Sequence, residues 1–141
     1  MEAVREINEE LAITGQPTPD KLLQLVEKGY RSVVNLRSPT EVGFWDDEQQ
    51  TIEQLGIHYA NFPIHTDSLT PNFLLQLIQK FAALPRPILI HCDSGVRSSV
   101  IAFVQIAIKQ GMSVEDALHT AVPLLRRGIH QQISLSQIPV Y

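Results

Sequence analysis

The feature that most restricts the fold of this chain is the stretch PILIHCDSGVRSS at positions 87–99. Its β-branched apolar run predicts a buried strand that ends at His91 and Cys92. Gly95 permits a tight turn or a left-handed residue, and apolar residues at helical spacing follow Arg97. The stretch therefore predicts a strand, a short loop and a helix in immediate succession.

Cys92 falls at the end of this predicted strand, in a loop that leads into the N-terminus of a helix. Backbone amides exposed at such a position, together with the helix dipole, bind anions and favour the thiolate form of a cysteine. Arg97 adds a permanent positive charge and a planar fork that suits two oxygens of a tetrahedral anion. A thiolate, exposed amides and an arginine predict covalent attack on phosphorus or sulfur.

Helix-start signals and apolar runs divide the rest of the chain into alternating strands and helices. Thr18 before Pro19 and Thr70 before Pro71 are N-cap residues, each followed by the proline that suits a first helical turn. Ser113 predicts one more helix start, at the last helix. The predicted strands lie at 11–14, 30–36, 57–62 and 88–91, and helices are predicted to begin near 19, 46, 71, 98 and 114.

This order of elements predicts an α/β fold, in which a mainly parallel sheet of four to five strands carries helices on both faces. The 141 residues suffice for a single domain over positions 1–141, with a core from about 11 to 126. Residues 1–10 are expected to be a frayed or weakly helical lead-in. Pro123 is expected to kink or end the last helix, and the last dozen residues show no clear period.

Bulk composition excludes several classes of protein. A net charge of −4, with 44% hydrophobic and 18% charged residues, provides no basic surface for nucleic acids or anionic membranes. The N-terminus lacks the order of a signal peptide, and no apolar run is long enough to span a bilayer. Cys92 is the single cysteine, which rules out an intrachain disulfide and favours a reducing cytoplasm. His58 and His65 form no ligand motif, so we expect neither a metal nor another cofactor.

Three loops are expected to meet at one edge of the sheet. Ligands of parallel sheets bind at the carboxyl ends of the strands, and Cys92 lies at that end of its strand. Arg37 follows the strand VVNL, and the segment 63–70 follows the strand at 57–62. The sequence thus predicts one crevice that combines a thiol, two arginines and a polar loop.

The segment HCDSGVRS at 91–98 resembles the signature loop of protein tyrosine and dual-specificity phosphatases, which place five residues between cysteine and arginine. Here four residues separate Cys92 from Arg97. A loop of this length is also similar to that of rhodanese-like sulfurtransferases.

The resemblance to phosphatases extends from about residue 12 to residue 126. It includes a Gly-Gln-Pro turn, the strand VVNLR, the helix start LTP and the segment GMSVEDAL. Within that superfamily the sequence is most similar to bacterial domains of the beta-lactamase-hydrolase-like type, whose loop Cys-x-Ser-Gly-x-Arg-Ser matches Cys92, Ser94, Gly95, Arg97 and Ser98.

The resemblance implies a role for each residue of the loop. Cys92 would be the nucleophile, Arg97 the anion clamp, and Ser98 a hydroxyl that eases departure of the sulfur. His91 would orient the loop, with Arg37 as a further supporting residue. The phosphate or sulfate ion would be held by Asp93, Ser94, Gly95, Val96, Arg97 and Ser98.

Each of these roles has a structural alternative. Cys92 is alternatively a buried structural cysteine, and Ser98 a plain helix N-cap. Arg97 is alternatively a surface or ion-paired arginine, and His91 a hydrogen-bonded core histidine. Asp67, in the segment 63–70, is the candidate general acid by resemblance, and its alternative is a solvated turn residue. Asp93 would repel phosphate unless its carboxylate points outward. Asp46, Asp47 and Asp93 are the other candidates for the acid.

These features predict a cysteine-dependent phosphatase that hydrolyses phosphate monoesters through a phosphocysteine intermediate. Its substrates would be phosphotyrosine or phosphoserine proteins, or small aryl phosphates. Two alternatives remain open at this stage. One is a sulfurtransferase that carries a persulfide on Cys92, and the other is a non-catalytic phosphate-binding regulatory module.

Overall fold

A computed structural model describes residues 4–65 and 67–127 of the chain. They form a five-stranded sheet in the order β1-β2-β5-β3-β4. The strands are β1 (Arg5–Asn8), β2 (Leu11–Thr14), β3 (Ser32–Asn35), β4 (His58–Asn61) and β5 (Ile88–His91). The strands β2, β5, β3 and β4 are parallel to one another, and β1 pairs with β2 in the antiparallel sense. The predicted mainly parallel sheet is confirmed, with β5 at its centre.

Five helices cover the two faces of the sheet. They are α1 (Pro19–Glu27), α2 (Glu48–Gln54), α3 (Pro71–Ala82), α4 (Val96–Lys109) and α5 (Val114–Arg127). The caps predicted from the sequence are present: Thr18 accepts a hydrogen bond from Lys21 N, and Thr70 accepts one from Phe73 N. Among the described residues, no helix combines the length and the apolar character that a membrane span requires.

Alternation along β5 directs its side chains to two separate cores. Ile88, Ile90 and Cys92 belong to the larger core, which α3, α4 and α5 cover. Leu89 belongs to the smaller core, beneath α1 and α2. Every residue of β5 is buried and the first three are apolar, as is usual for the centre of a parallel sheet. Burial of each large aliphatic side chain contributes about 1.5–3 kcal/mol, so this strand is a rigid base for the loop that follows it.

One sequence-based expectation is wrong, and one of the two roles predicted for Pro123 is excluded. The lead-in is not helical, because residues from Arg5 form β1 and complete the hydrogen bonding of the β2 edge, with only Ile7 half-buried. The ordered sheet therefore begins ahead of the expected core boundary at residue 11. Pro123 does not end the last helix, since α5 continues to Arg127, and a kink stays the predicted role of Pro123. Leu124 and Leu125 pack into the larger core, and this burial offsets the backbone hydrogen bond that the proline removes.

The expectation for the last dozen residues concerns positions outside the described part of the chain.

Candidate active site

The Cys92 thiol is fully buried at the carboxyl end of β5, directly before a tight loop. The backbone N–H of Gly95 donates a hydrogen bond to Cys92 Sγ over 3.0 Å. Gly95 is the N-cap of α4 and has a φ of 96°, the left-handed conformation that was predicted for it. Asp93 and Ser94 are exposed, whereas Gly95 and Val96 are buried. The loop therefore turns a backbone donor towards the sulfur, which stabilises negative charge there.

Ser98 lies in the first turn of α4, beside the sulfur. Its Oγ is 3.6 Å from Cys92 Sγ and 3.0 Å from the carbonyl oxygens of Thr14 and Gly95. The alternative that Ser98 is the N-cap is wrong, because Gly95 holds that position. A hydroxyl has one proton and can rotate among these three acceptors, so it is placed to donate to the sulfur.

Arg97 is held in a bidentate ion pair by Glu41, from the loop after β3. Arg97 Nη1 and Nη2 donate to Glu41 Oε1 and Oε2 over 2.8 and 2.9 Å, and Nη1 also lies 3.4 Å from the Leu36 carbonyl oxygen. Glu41 thus uses the end of the guanidinium fork. The Nε–H and the outer Nη2–H, on the side edge, are not used by these contacts and suit two oxygens of an anion.

The same pair shifts the pKa values of both partners. Burial would raise the pKa of Glu41, but hydrogen bonds from Arg97 and Arg37 outweigh it and lower that pKa from 4.5 to about 2. Burial would likewise lower the pKa of Arg97, but the hydrogen bond to Glu41, with the charges of Cys92 and nearby acids, raises it. Glu41 is therefore a carboxylate at every pH at which the protein is expected to work.

Arg37 is buried, and polar partners engage each nitrogen of its guanidinium. Its Nε donates to Glu41 over 2.7 Å, Nη1 to Gln16 Oε1 over 2.8 Å, and Nη2 to the Val42 carbonyl over 2.6 Å. Gly43 has a φ of 85°, which favours glycine, and a Cβ there would approach Nη2 to 2.9 Å, so a larger residue would strain the backbone and displace the guanidinium. These contacts make Arg37 a support for Glu41, and through it for Arg97.

His91 forms a buried pair with Glu48, the first residue of α2. His91 Nε2 and Glu48 Oε2 are 2.5 Å apart, and both side chains are fully buried. The other Glu48 oxygen accepts a hydrogen bond from Gln16 Nε2 over 2.7 Å. Because Gln16 also contacts Arg37, a continuous chain of hydrogen bonds runs around the loop from His91 to Arg97.

Two aspartates lie at the rim of this site. Asp93 is 66% exposed, and its carboxylate lies 4.0 Å from Arg37 Nη1. It therefore points outward, which removes the predicted repulsion of a bound anion. Asp67 is exposed in the loop between β4 and α3. That loop starts beside the site, because Ile64 N donates to the same Leu36 carbonyl that Arg97 contacts.

Hydrogen bonds between the loops bring the three predicted strand ends together. Leu36 N, after β3, donates to the His91 carbonyl over 2.9 Å, and Ile64 N, after β4, donates to the Leu36 carbonyl over 3.0 Å. A fourth strand end, not predicted, joins them, since Gln16 N after β2 donates to the Asp93 carbonyl over 3.0 Å. In the described part of the chain, no group of three or more His, Cys, Asp or Glu side chains is arranged to hold a metal ion.

Comparison with known proteins identifies the family. Residues 3–110 match the family described as beta-lactamase hydrolase-like protein, phosphatase-like domain. The chain belongs to this phosphatase-like family. The beta-lactamase hydrolase-like protein of Xylella fastidiosa strain Temecula1 is 34% identical over 100 residues, which are 68% of this chain. They are only 23% of the relative's length, so the chain corresponds to less than a quarter of that protein.

Solved structures of phosphatases have the same fold. A DUF442 protein of Shewanella putrefaciens CN-32 superimposes with a TM-score of 0.71 at 17% identity, over 89% of this chain and 85% of that one. P. aeruginosa TpbA, in complex with pTyr, superimposes with a TM-score of 0.64 at 19% identity, over 82% of this chain and 69% of that one. The resemblance to tyrosine and dual-specificity phosphatases is confirmed at the level of the fold.

Sequence reasoning missed three residues of the site: Gln16, Glu41 and Glu48. Glu41 is four residues after Arg37, a spacing that offered a weak signal for an ion pair. Glu48 lies in a polar stretch that predicts a surface helix, yet its side chain is fully buried. No local pattern marks a buried carboxylate whose partner is 43 residues away.

Proposed function

We propose that this protein is a cysteine-dependent phosphatase that hydrolyses phosphate monoesters through a phosphocysteine intermediate. The observation that carries the proposal is the pairing of two features at one helix start. Cys92 Sγ accepts the Gly95 N–H, and Arg97, in the first turn of the helix that Gly95 caps, has a guanidinium side edge that its contacts with Glu41 do not use. A nucleophile and an anion clamp on one rigid element favour in-line attack on a bound phosphate.

The reaction has two steps. In the first, the Cys92 thiolate attacks phosphorus, the bond to the leaving oxygen breaks, and Asp67 donates a proton to that oxygen. In the second, water attacks the phosphocysteine, Asp67 takes up a proton from the water, and the sulfur–phosphorus bond breaks. The Ser98 hydroxyl, 3.6 Å from Sγ, stabilises the departing thiolate, and inorganic phosphate is released.

Phosphotyrosine proteins and aryl phosphates are the proposed substrates, with phosphoserine proteins as a further class. The pTyr complex of TpbA supports the aryl class, because that protein has the same fold. The loop is one residue shorter than the usual phosphatase loop, and we expect slow turnover as a result. A cytoplasmic location, predicted from the single thiol, is part of this proposal.

Assays of the purified protein test the proposal against the alternatives. We expect release of p-nitrophenol from p-nitrophenyl phosphate, and no thiocyanate from thiosulfate and cyanide. Efficient sulfur transfer without phosphatase activity would establish the sulfurtransferase that the four-residue loop allows. Phosphate binding without either activity would establish a non-catalytic module.

The role of Asp67 predicts a dependence on the leaving group. Asp67→Asn should lower kcat for an alkyl phosphate by roughly 10²-fold, the lower range for loss of a general acid. It should change kcat little for p-nitrophenyl phosphate, whose leaving group needs no proton, and KM should stay constant for both. Asp116→Asn, an exposed aspartate on α5, is the control. Equal kcat of the parent and Asp67→Asn on the alkyl ester would exclude Asp67.

A further inference from the structure

The His91–Glu48 pair lies on the face of the sheet opposite the thiol. His91 is the last residue of β5, and the side chains of neighbouring strand residues point to opposite faces. The imidazole cannot touch the substrate from there, and Glu48 comes from a different element, α2. Both side chains are nonetheless fully buried, which requires that their polar atoms be satisfied.

Both ring nitrogens of His91 face hydrogen-bond acceptors. Nε2 is 2.5 Å from Glu48 Oε2, and Nδ1 is 3.3 Å from the carbonyl oxygen of Cys92. A carbonyl oxygen can only accept, and a neutral imidazole has a single N–H. If Glu48 is ionised, the contacts to Glu48 and to the Cys92 carbonyl are both hydrogen bonds only when the ring carries two protons and a positive charge. Gln16 Nε2 donates to the second Glu48 oxygen over 2.7 Å, so both oxygens of the carboxyl group have a hydrogen-bond partner.

The contact at Nδ1 determines how the catalytic loop begins. In a trans peptide the C=O and the next N–H point in opposite directions. A hydrogen bond from His91 to the Cys92 carbonyl therefore aims the Asp93 N–H away from the imidazole. The next carbonyl, of Asp93, is fixed in turn by the backbone N–H of Gln16. Two successive peptides of the anion loop are thus oriented by partners outside it.

We propose that Glu48 is a positioning residue for this loop: it keeps His91 doubly protonated, and the imidazolium holds the first loop peptide in its anion-binding orientation. The reaction that this serves is the one proposed above. The protonation state of His91 is a property of the folded protein and is measurable without any turnover.

The charged and titratable groups around the His91–Glu48 pair are either neutral or paired with one another. On the β4 side, burial followed by the Glu48 charge raises the pKa of Tyr59 to about 12, although a hydrogen bond from Asn35 opposes this, so Tyr59 stays neutral. Arg37 lies one residue beyond Gln16 in the hydrogen-bond chain, and the Asp93 carboxylate lies 4.0 Å from Arg37. No charge of these neighbours is left over for the pair, so the positive imidazolium and the negative Glu48 neutralise each other, as a buried pair must.

Glu48→Gln isolates the charge from the packing. The introduced amide has nearly the same shape, can accept from Gln16 and can donate to Nε2 of a neutral imidazole, whose single proton then stays on Nδ1. The hydrogen bond from Nδ1 to the Cys92 carbonyl is kept, but it loses the positive charge that strengthens it. We expect long-range proton–nitrogen NMR spectra near neutral pH to show two protonated His91 nitrogens in the parent and one in the variant. We also expect kcat on p-nitrophenyl phosphate to fall by up to roughly 10-fold, with KM nearly constant, because a neutral Nδ1–H holds the Cys92 carbonyl less strongly than an imidazolium does.

Alkylation of Cys92 by iodoacetamide provides a readout that needs no phosphatase activity, and it should be slower in Glu48→Gln. Glu53→Gln, an exposed glutamate on the same helix, is the matched control and should behave as the parent. A parent spectrum with one protonated His91 nitrogen overturns the proposal by itself, and it needs no variant that must fold. Parent-like alkylation in a Glu48→Gln variant with a neutral His91 would overturn the positioning role. A parent without phosphatase activity would refute the proposed function and leave the NMR and alkylation results valid.

Discussion

Replacement of Cys92 by serine should abolish turnover of p-nitrophenyl phosphate, with a loss of at least about 10⁴-fold, because a hydroxyl ionises too weakly to replace the thiolate. The fold should persist, since the serine hydroxyl is smaller than the thiol and can still accept the Gly95 N–H. Phosphate should continue to bind, because Arg97 and the loop amides are unchanged. Turnover is measured by release of p-nitrophenol, and binding by the rise in the unfolding midpoint with added phosphate.

The single cysteine makes a clean control available for this experiment. Iodoacetamide can alkylate only Cys92 in the parent, and it should inactivate the protein with one modification per chain. Inorganic phosphate should slow the alkylation by occupying the loop. A Cys92→Ser variant that keeps a tenth or more of the parent kcat would refute the phosphocysteine mechanism.

Removal of the Arg97 guanidinium should cost roughly 10²–10³-fold in kcat/KM, the range for loss of one donor to a developing oxyanion. Arg97→Ala should also weaken binding of phosphate and vanadate, because the side edge of the guanidinium contacts the ground state as well. Arg97→Lys should recover little, since an ammonium group cannot bind two oxygens of the anion and both oxygens of Glu41 at once. Steady-state kinetics and vanadate inhibition measure these effects.

Arg86 provides the matched control for this substitution. It precedes β5, at the opposite end of the strand from Cys92, and pairs weakly with Glu10 at 3.6 Å. Arg86→Ala removes the same charge and should leave kcat/KM and vanadate inhibition unchanged. Equal effects of the two substitutions would show that Arg97 acts only through the net charge of the protein.

Most of the architecture was predictable because its signals are local. The caps at Thr18 and Thr70 and the apolar run of β5 each depend on a few neighbouring residues, and the structure confirms them. β2 and β5 have the predicted bounds, whereas β3 and β4 are shorter than predicted, and the pairing of β3 stops at Asn35. The first ten residues do not reveal β1, because this strand forms by pairing with the edge of β2. The intrinsic strand preference of an edge segment is too weak to predict it alone.

The candidate site was predictable only in part. Cys92, Gly95 and Arg97 lie within six consecutive positions, and their spacing carries the loop geometry directly. The side chains that hold this loop come from elsewhere: Gln16 after β2, Glu41 after β3, and Glu48 on α2. Each is a common polar residue in a polar stretch, where the sequence offers no sign of burial.

The sequence by itself determined the parallel α/β order and the place of a thiol and an arginine at one helix start, because strand, turn and helix preferences act between near neighbours. Only the tertiary structure decided which charges meet. It joined Glu41 to Arg97 and Glu48 to His91 across 56 and 43 positions of the chain. Such pairs form because a buried charge must find a partner, and the order of strands in the sheet decides which partners are within reach.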